Sequence, residues 1–107
     1  MVSQKESKVE ELLNDYELVL IISPEVAEER YDTIIENTSR FITDRGGVIS
    51  QVDKWGKKKL AYPIKRFVEG NYVLSRFKLK PASSKELEAN LRISEDIMRH
   101  LLVKIDD

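Results

Sequence analysis

The spacing of apolar positions changes along the chain, and each spacing predicts an element. Tyr16–Ser23 (YELVLIIS) is the most strand-like stretch, and apolar residues on both of its faces predict a central place in a sheet. Pro24 directly after Ser23 suits a helix start, with Glu25, Glu28 and Glu29 placed where the helix dipole favours negative charge. Ala27, Tyr31, Ile34, Ile35, Thr38, Phe41 and Ile42 then recur at steps of three and four. That stripe predicts a helix of about five turns, and Gly46-Gly47 supplies a left-handed stop. Val48–Ile64 alternates imperfectly, with Gly56 predicting a bulge and Pro63 limiting how far the strand pairs. Arg66–Gly70 reads as a turn. Asn71–Lys80 alternates cleanly, which places Val73, Ser75, Phe77 and Leu79 on the core side and Tyr72, Leu74, Arg76 and Lys78 on the other. Pro81 ends that strand, and Ser83-x-x-Glu86 predicts a capping box opening a short helix whose Leu87 and Leu91 share a face. Ile97–Ile105 closes the series as a strand. Its apolar run Leu101–Val103 leaves the inward register open, and with it the direction of His100. Residues 1–14 read as a polar tail, and 15–107 as one domain.

The order strand, helix, strand, strand, helix, strand is that of the ferredoxin-like split βαβ arrangement, an α+β fold. Right-handed crossovers place both helices on one face of a four-stranded antiparallel sheet. If Leu18, Leu20 and Ile22 face the helices, the opposite face carries Glu17, Val19 and Ile21 beside the outward residues of the third strand. That mixture of apolar and basic groups predicts a binding surface, or more plainly a homodimer face.

Composition narrows the chemistry. With 107 residues and no Cys the chain is one ordinary domain without disulfides, thiolate nucleophiles or Cys-based metal sites. Its single His excludes His-rich metal centres, so neither a metal nor another cofactor is expected. The longest apolar run, Leu18–Ile22, is far short of the roughly 20 residues that span a bilayer. It follows an acidic stretch unlike a signal peptide, so a soluble cytoplasmic protein without membrane contact is expected.

The net charge of −1 conceals a division. Residues 1–53 carry 5 Lys and Arg against 12 Asp and Glu, whereas residues 54–107 carry 13 against 7. Between Lys54 and Val68 there is no acid at all. Such a field of one sign suits a surface that meets phosphates, although a Lys-rich edge strand also resists aggregation without any ligand.

The segment Lys54–Arg66 (KWGKKKLAYPIKR) interleaves six cations with Trp55 and Tyr62. Cations can pair with phosphates while aromatic planes stack on unpaired bases, a combination suited to looped RNA. Catalysis has no such support. A phosphate-cradling loop after the first strand would be built here from Ser23-Pro24-Glu25 and further acids, and His100 has no Ser or acid placed to form a relay. Two other readings stay open: a small-ligand regulatory domain that dimerises through its sheet, and a free-standing RNA recognition motif, faintly echoed by Gly70–Phe77.

The run Trp55-Gly56-Lys57-Lys58-Lys59-Leu60-Ala61-Tyr62-Pro63-Ile64, followed by Gly70-Asn71-Tyr72, resembles the signature of the bacterial small-subunit ribosomal protein S-six family. The resemblance extends from Tyr16-Glu17 through Arg92-Ile93 to Val103-Lys104. It implies a ferredoxin-like, non-enzymatic protein of the cytoplasmic ribosome. Its implied partners are small-subunit (16S) ribosomal RNA in the central domain and ribosomal protein S-eighteen, with no small-molecule substrate. It further implies that Lys57, Lys58, Lys59 and Tyr62 lie in the RNA-facing region. By extension the same region takes in Lys54, Trp55, Lys65 and Arg66, and then Arg76, Lys78 and Arg92. Val19, Ile21, Tyr72 and Leu74 are the residues expected to meet the protein partner.

Overall fold

A computed structural model describes residues 13–105. It contains β1 (Asn14–Ile22), α1 (Glu28–Asp44), β2 (Val48–Ile64), β3 (Phe67–Leu79), α2 (Pro81–Arg92) and β4 (Ile97–Lys104). The sheet is antiparallel with strand order β2-β3-β1-β4, and both helices cover one side, as the split βαβ pattern requires. The tail reading of residues 1–14 falls largely outside the described residues, but Asn14 itself already pairs with Leu79 as the first residue of β1.

The core lies between sheet and helices. Leu18, Leu20 and Ile22 from β1 meet Val73, Phe77 and Leu79 from β3, Ile42 from α1 and Leu87 from α2, all of them fully buried. Each such side chain contributes about 1.5–3 kcal/mol of burial free energy. Tyr16 packs beside Phe77, with ring centroids 5.9 Å apart. The alternation in β1 and β3 therefore has the expected inward faces.

Four local expectations are corrected. Helix α1 begins at Glu28 rather than at Pro24. Ser23 is tied to the loop before β4, its N–H donating to the Asp96 carbonyl at 2.8 Å, while Pro24 and Glu25 turn the chain before Ala27 enters the helix without a side-chain cap. Glu28 and Glu29 still occupy the first turn, where the dipole favours them.

Helix α2 begins at Pro81, two residues ahead of the proposed capping Ser83. Proline fits the first helical position because no N–H is needed there. Ser83 and Ser84 are instead buried inside the first turn, and Ser84 Oγ donates to the Pro81 carbonyl at 2.7 Å. Strand β3 starts at Phe67, because the hairpin turns within Lys65 and Arg66, with Lys65 at φ 59°. Finally, β1 extends two residues earlier than Tyr16.

The register of β4, open on sequence grounds, is settled by pairing. His100 lies opposite Leu20 and Leu102 opposite Leu18, which puts both on the helix side; Leu101 opposite Val19 and Val103 opposite Glu17 lie on the open side. His100 Nε2 sits 3.4 Å from Glu88 of α2, so the histidine bridges strand and helix.

Two adjacent glycines close α1 for different reasons. Gly46 adopts φ +79° and has open space around its Cα, whereas a Cβ on Gly47 would meet the Ile42 side chain at 2.6 Å and the carbonyls of Ile42 and Lys78 at 2.8 Å. Gly46→Ala is expected to cost about 1–2 kcal/mol from left-handed strain, with Gly46→Asn recovering part of it. Gly47→Ala is expected to cost about 1–3 kcal/mol from overpacking, which Asn cannot relieve. Urea midpoints at constant m-value distinguish the two patterns.

Candidate nucleic-acid interface

Strands β2 and β3, of 17 and 13 residues, outrun β1 and β4, of 9 and 8. Beyond Lys57↔Asn71, level with the end of β1, they continue as a two-stranded ribbon, and a bulge lies just before it. The ladder shifts between Lys54↔Val73 and Gly56↔Tyr72, leaving Trp55 as the extra residue, and Gly56 takes φ +82°, a conformation that glycine adopts without strain. The bulge expected from Gly56 is therefore present, and it turns Trp55 outward to 45% exposure. Lys58 Nζ lies 4.9 Å from the Trp55 ring centroid, in cation–π range.

Beyond the bulge Lys57, Lys58 and Lys59 pair with Asn71, Gly70 and Glu69. Because side chains alternate, Lys58 points to the open side with Tyr72, and Lys57 and Lys59 point to the other. The three lysines thus project from both sides of the strand rather than forming one patch. All three are exposed, and Lys57 and Lys59 have no ion-pair partner among the described residues. Lys65 occupies the hairpin turn and is exposed as well.

The other proposed cations are held differently. Lys54, on the helix side, pairs with Asp32 of α1, and its Nζ stands 5.6 Å from the Tyr31 ring. Arg66 meets Glu25 at 3.6 Å, and Arg76 Nε donates to Glu17 at 3.1 Å on the open face. The acid-free stretch of sequence is therefore not an acid-free surface, since residues from the acidic first half of the chain fold against it. Lys78 is exposed opposite Asp15. Arg92 ends α2, where a cation suits the helix C-terminus, and so sits in the helix layer, on the opposite side of the sheet from Arg76 and Lys78. Tyr62 is 55% exposed, and its hydroxyl accepts a hydrogen bond from Arg99 Nη1.

The residues proposed for a protein partner do converge. Val19 lies opposite Leu74 and Ile21 opposite Tyr72, and with Arg99, His100 and Leu101 three of the four line a cavity of about 170 Å³ on the open side. Ile21 and Leu74 are themselves buried, so Val19, Tyr72 and Leu101 supply the reachable surface. Leu101 and Val103, 54% and 47% exposed, extend this face across β4 and were missing from the sequence reading, which lacked the register of that strand.

Among the described residues no cluster of His, Cys, Asp or Glu could hold a metal ion. A family model described as Ribosomal protein S6 matches residues 15–104. The chain belongs to the ribosomal protein S6 family. It is a protein of the small ribosomal subunit. The small ribosomal subunit protein bS6 of Moorella thermoacetica is 40% identical over 95 residues, 89% of this chain and 97% of that protein. That of Dehalococcoides mccartyi, strain CBDB1, is 43% identical over 101 residues, 94% of this chain and 92% of its own. The crystal structure of 30S ribosomal protein S6 from Thermotoga maritima superposes with a TM-score of 0.83 at 33% identity, covering 87% of this chain and 88% of that one. The ferredoxin-like fold is thus the fold of this family.

The contact between helix and hairpin base has a pH signature. The hydrogen bond to Asp32 raises the Lys54 pKa above its usual 10.5; burial raises Tyr31 above 10.0, with Asp32 adding to it and Lys54 opposing it. Both groups hold protons more tightly when folded, so their contribution is complete below the unfolded values and is lost as pH rises through the folded ones. Urea midpoints should therefore stay level from neutral pH to about 9 and decline above 10. In Tyr31→Phe that alkaline decline should be shallower.

Proposed function

We propose that this family member binds 16S ribosomal RNA in the central domain together with ribosomal protein S-eighteen, as a structural component without catalytic activity. The observation that carries the reading is the bulged β2–β3 ribbon. It turns Trp55 outward at the sheet edge and carries Lys58 and Lys59 past the end of β1, with a lysine over the tryptophan ring and no carboxylate paired with Lys57 or Lys59 among the described residues.

The two-sided display of lysines suits a ribbon that lies between backbone segments of a folded RNA, where phosphates approach from more than one direction. Trp55 and Tyr62 offer ring faces to unpaired bases. Lys54, Arg66 and Arg76 serve chiefly to hold the ribbon to the body of the protein, because each would have to give up a carboxylate to meet a phosphate. S-eighteen would then occupy the apolar open face around Val19, Tyr72 and Leu101, adjacent to the RNA-facing ribbon but separate from it. Linking two modest surfaces in one assembly lets neither contact be tight on its own.

The open face also speaks against a free-standing RNA recognition motif. The place where such a motif stacks bases holds Val19, buried Leu74 and the Arg76–Glu17 pair, with half-buried Tyr72 as its aromatic on β3.

A salt titration with a central-domain RNA fragment and S-eighteen tests the proposal. Changing Lys57, Lys58 and Lys59 to Ala should weaken binding and flatten the log–log salt slope by about 2–3, at roughly 0.7–0.9 per phosphate contact. Lys54→Ala should change the slope by well under one such step. Native-like binding by the triple variant would move the RNA surface off the ribbon.

A further inference from the structure

Between Lys59↔Glu69 and Ile64↔Phe67 the β2–β3 ladder breaks, so that residues 60–63 of β2 stand opposite Val68 alone. Pro63 has no N–H to donate, and Leu60, Ala61 and Tyr62 share the lost pairing. Tyr62 therefore sits on a stretch that the sheet does not position, yet its aromatic plane is one of two that the ribbon presents. A side chain from the opposite edge of the sheet supplies what the ladder does not. Arg99 of β4 donates to Tyr62 Oη, with its guanidinium 5.6 Å from the ring centroid.

The far strand is shaped for this reach. Arg99 pairs with Ile21, and the next pair is Ile22↔Ile97, so Met98 is an extra residue and the bulge re-aims the side chain beside it. Gly70 lets β3 lean onto this corner: a Cβ there would stand 2.5 Å from Ile21 Cγ2 and 3.0 Å from Met98 Cε. The ribbon thus bends towards β4, and Arg99 fastens its unpaired segment.

We propose that Arg99 is a positioning residue for RNA binding, acting through Tyr62 rather than on a phosphate. This rests on the reading of the ribbon as the RNA-facing surface. A guanidinium that hydrogen-bonds the phenol anchors the far end of the Tyr62 side chain, so the ring meets an unpaired base without first losing its rotamer freedom. An arginine engaged in this way leaves the salt dependence of binding almost untouched, whereas a phosphate-binding arginine contributes to it.

The test uses the full chain, the central-domain RNA fragment and S-eighteen. Tyr62→Ala should weaken binding roughly 5- to 150-fold, the range for losing one base–aromatic stack. Arg99→Met and Tyr62→Phe, which delete donor and acceptor of the same bond, should each weaken it by about 2- to 10-fold with an unchanged salt slope. Arg99→Met should add nothing on the Tyr62→Ala background. Arg99→Lys, which keeps the charge but not the planar fork, should recover less than half of the loss. Arg99 is exposed at a sheet edge, so these variants retain the core.

The proposal is overturned if Arg99→Met binds as the native chain does. It is equally overturned if its loss multiplies fully with that of Tyr62→Ala while the slope flattens by about 0.7–0.9, the mark of a direct phosphate contact. The Lys57–Lys59 variant, run alongside, separates the two readings. Weakened binding there with native binding by Arg99→Met removes only the positioning role; native binding by both removes the ribbon as the RNA surface as well.

Discussion

Strand β1 lies between two strands that are both remote from it in sequence, and its register constrains everything built around it. Tyr16 pairs with Phe77 on one side and Lys104 on the other. Leu18, Leu20 and Ile22 are wholly buried against the helices, so a slip of one residue would bring Glu17 and Val19 into the core. The same register decides the opposite face: it sets Glu17 beside Arg76, Val19 beside Leu74 and Leu101, and Ile21 beside Tyr72 and Arg99. Core and open face are two sides of one alignment, and neither can be altered alone.

The charge division along the chain takes on a different meaning once folded. Acids from the first half are delivered to the base and tip of the ribbon, where Asp32 meets Lys54 and Glu25 meets Arg66. Exposed pairs of this kind contribute only about 0–1 kcal/mol each to stability. Their larger effect is to divide the cations into those tied to a carboxylate, Lys54 and Arg66, and those without such a partner among the described residues. Lys57 and Lys59 belong to the second group, facing the helix side of the edge strand with no ion-pair partner among the described residues.

Much of this was legible in the sequence because it depends on periodicity. The alternation in Asn71–Lys80, the stripe from Tyr31 to Ile42 and the bulge at Gly56 follow from local sterics and burial, which residue order reports directly. Helix starts were less legible. Ser23 and Ser83 have the chemistry of caps, but the Ser23 hydroxyl accepts from the Glu25 N–H in the turn that precedes α1, and Ser83 is buried inside the first turn of α2. The site was legible as a segment and not as a surface. Nothing in residue order links Tyr62 to Arg99, 37 positions away, or Arg76 to Glu17, 59 positions away, since those meetings depend on how the sheet is ordered and curved. The run Leu101–Val103 hid the outward role of Leu101 and Val103, because three apolar residues in a row carry no alternation to read.

The pairing of the first strand with the last has a consequence for how the chain is made. Synthesis runs from the N-terminus, so Leu18–Ile22, the most apolar stretch, emerges long before β4 exists to cover its second edge. The β2–β3 hairpin can form locally as it appears, and α1 can coil early, but β1 has no lasting partner until Phe67–Leu79 has been produced. Until β3 has been made the nascent chain therefore carries an unpaired apolar strand, the segment most open to capture by chaperones or by another copy.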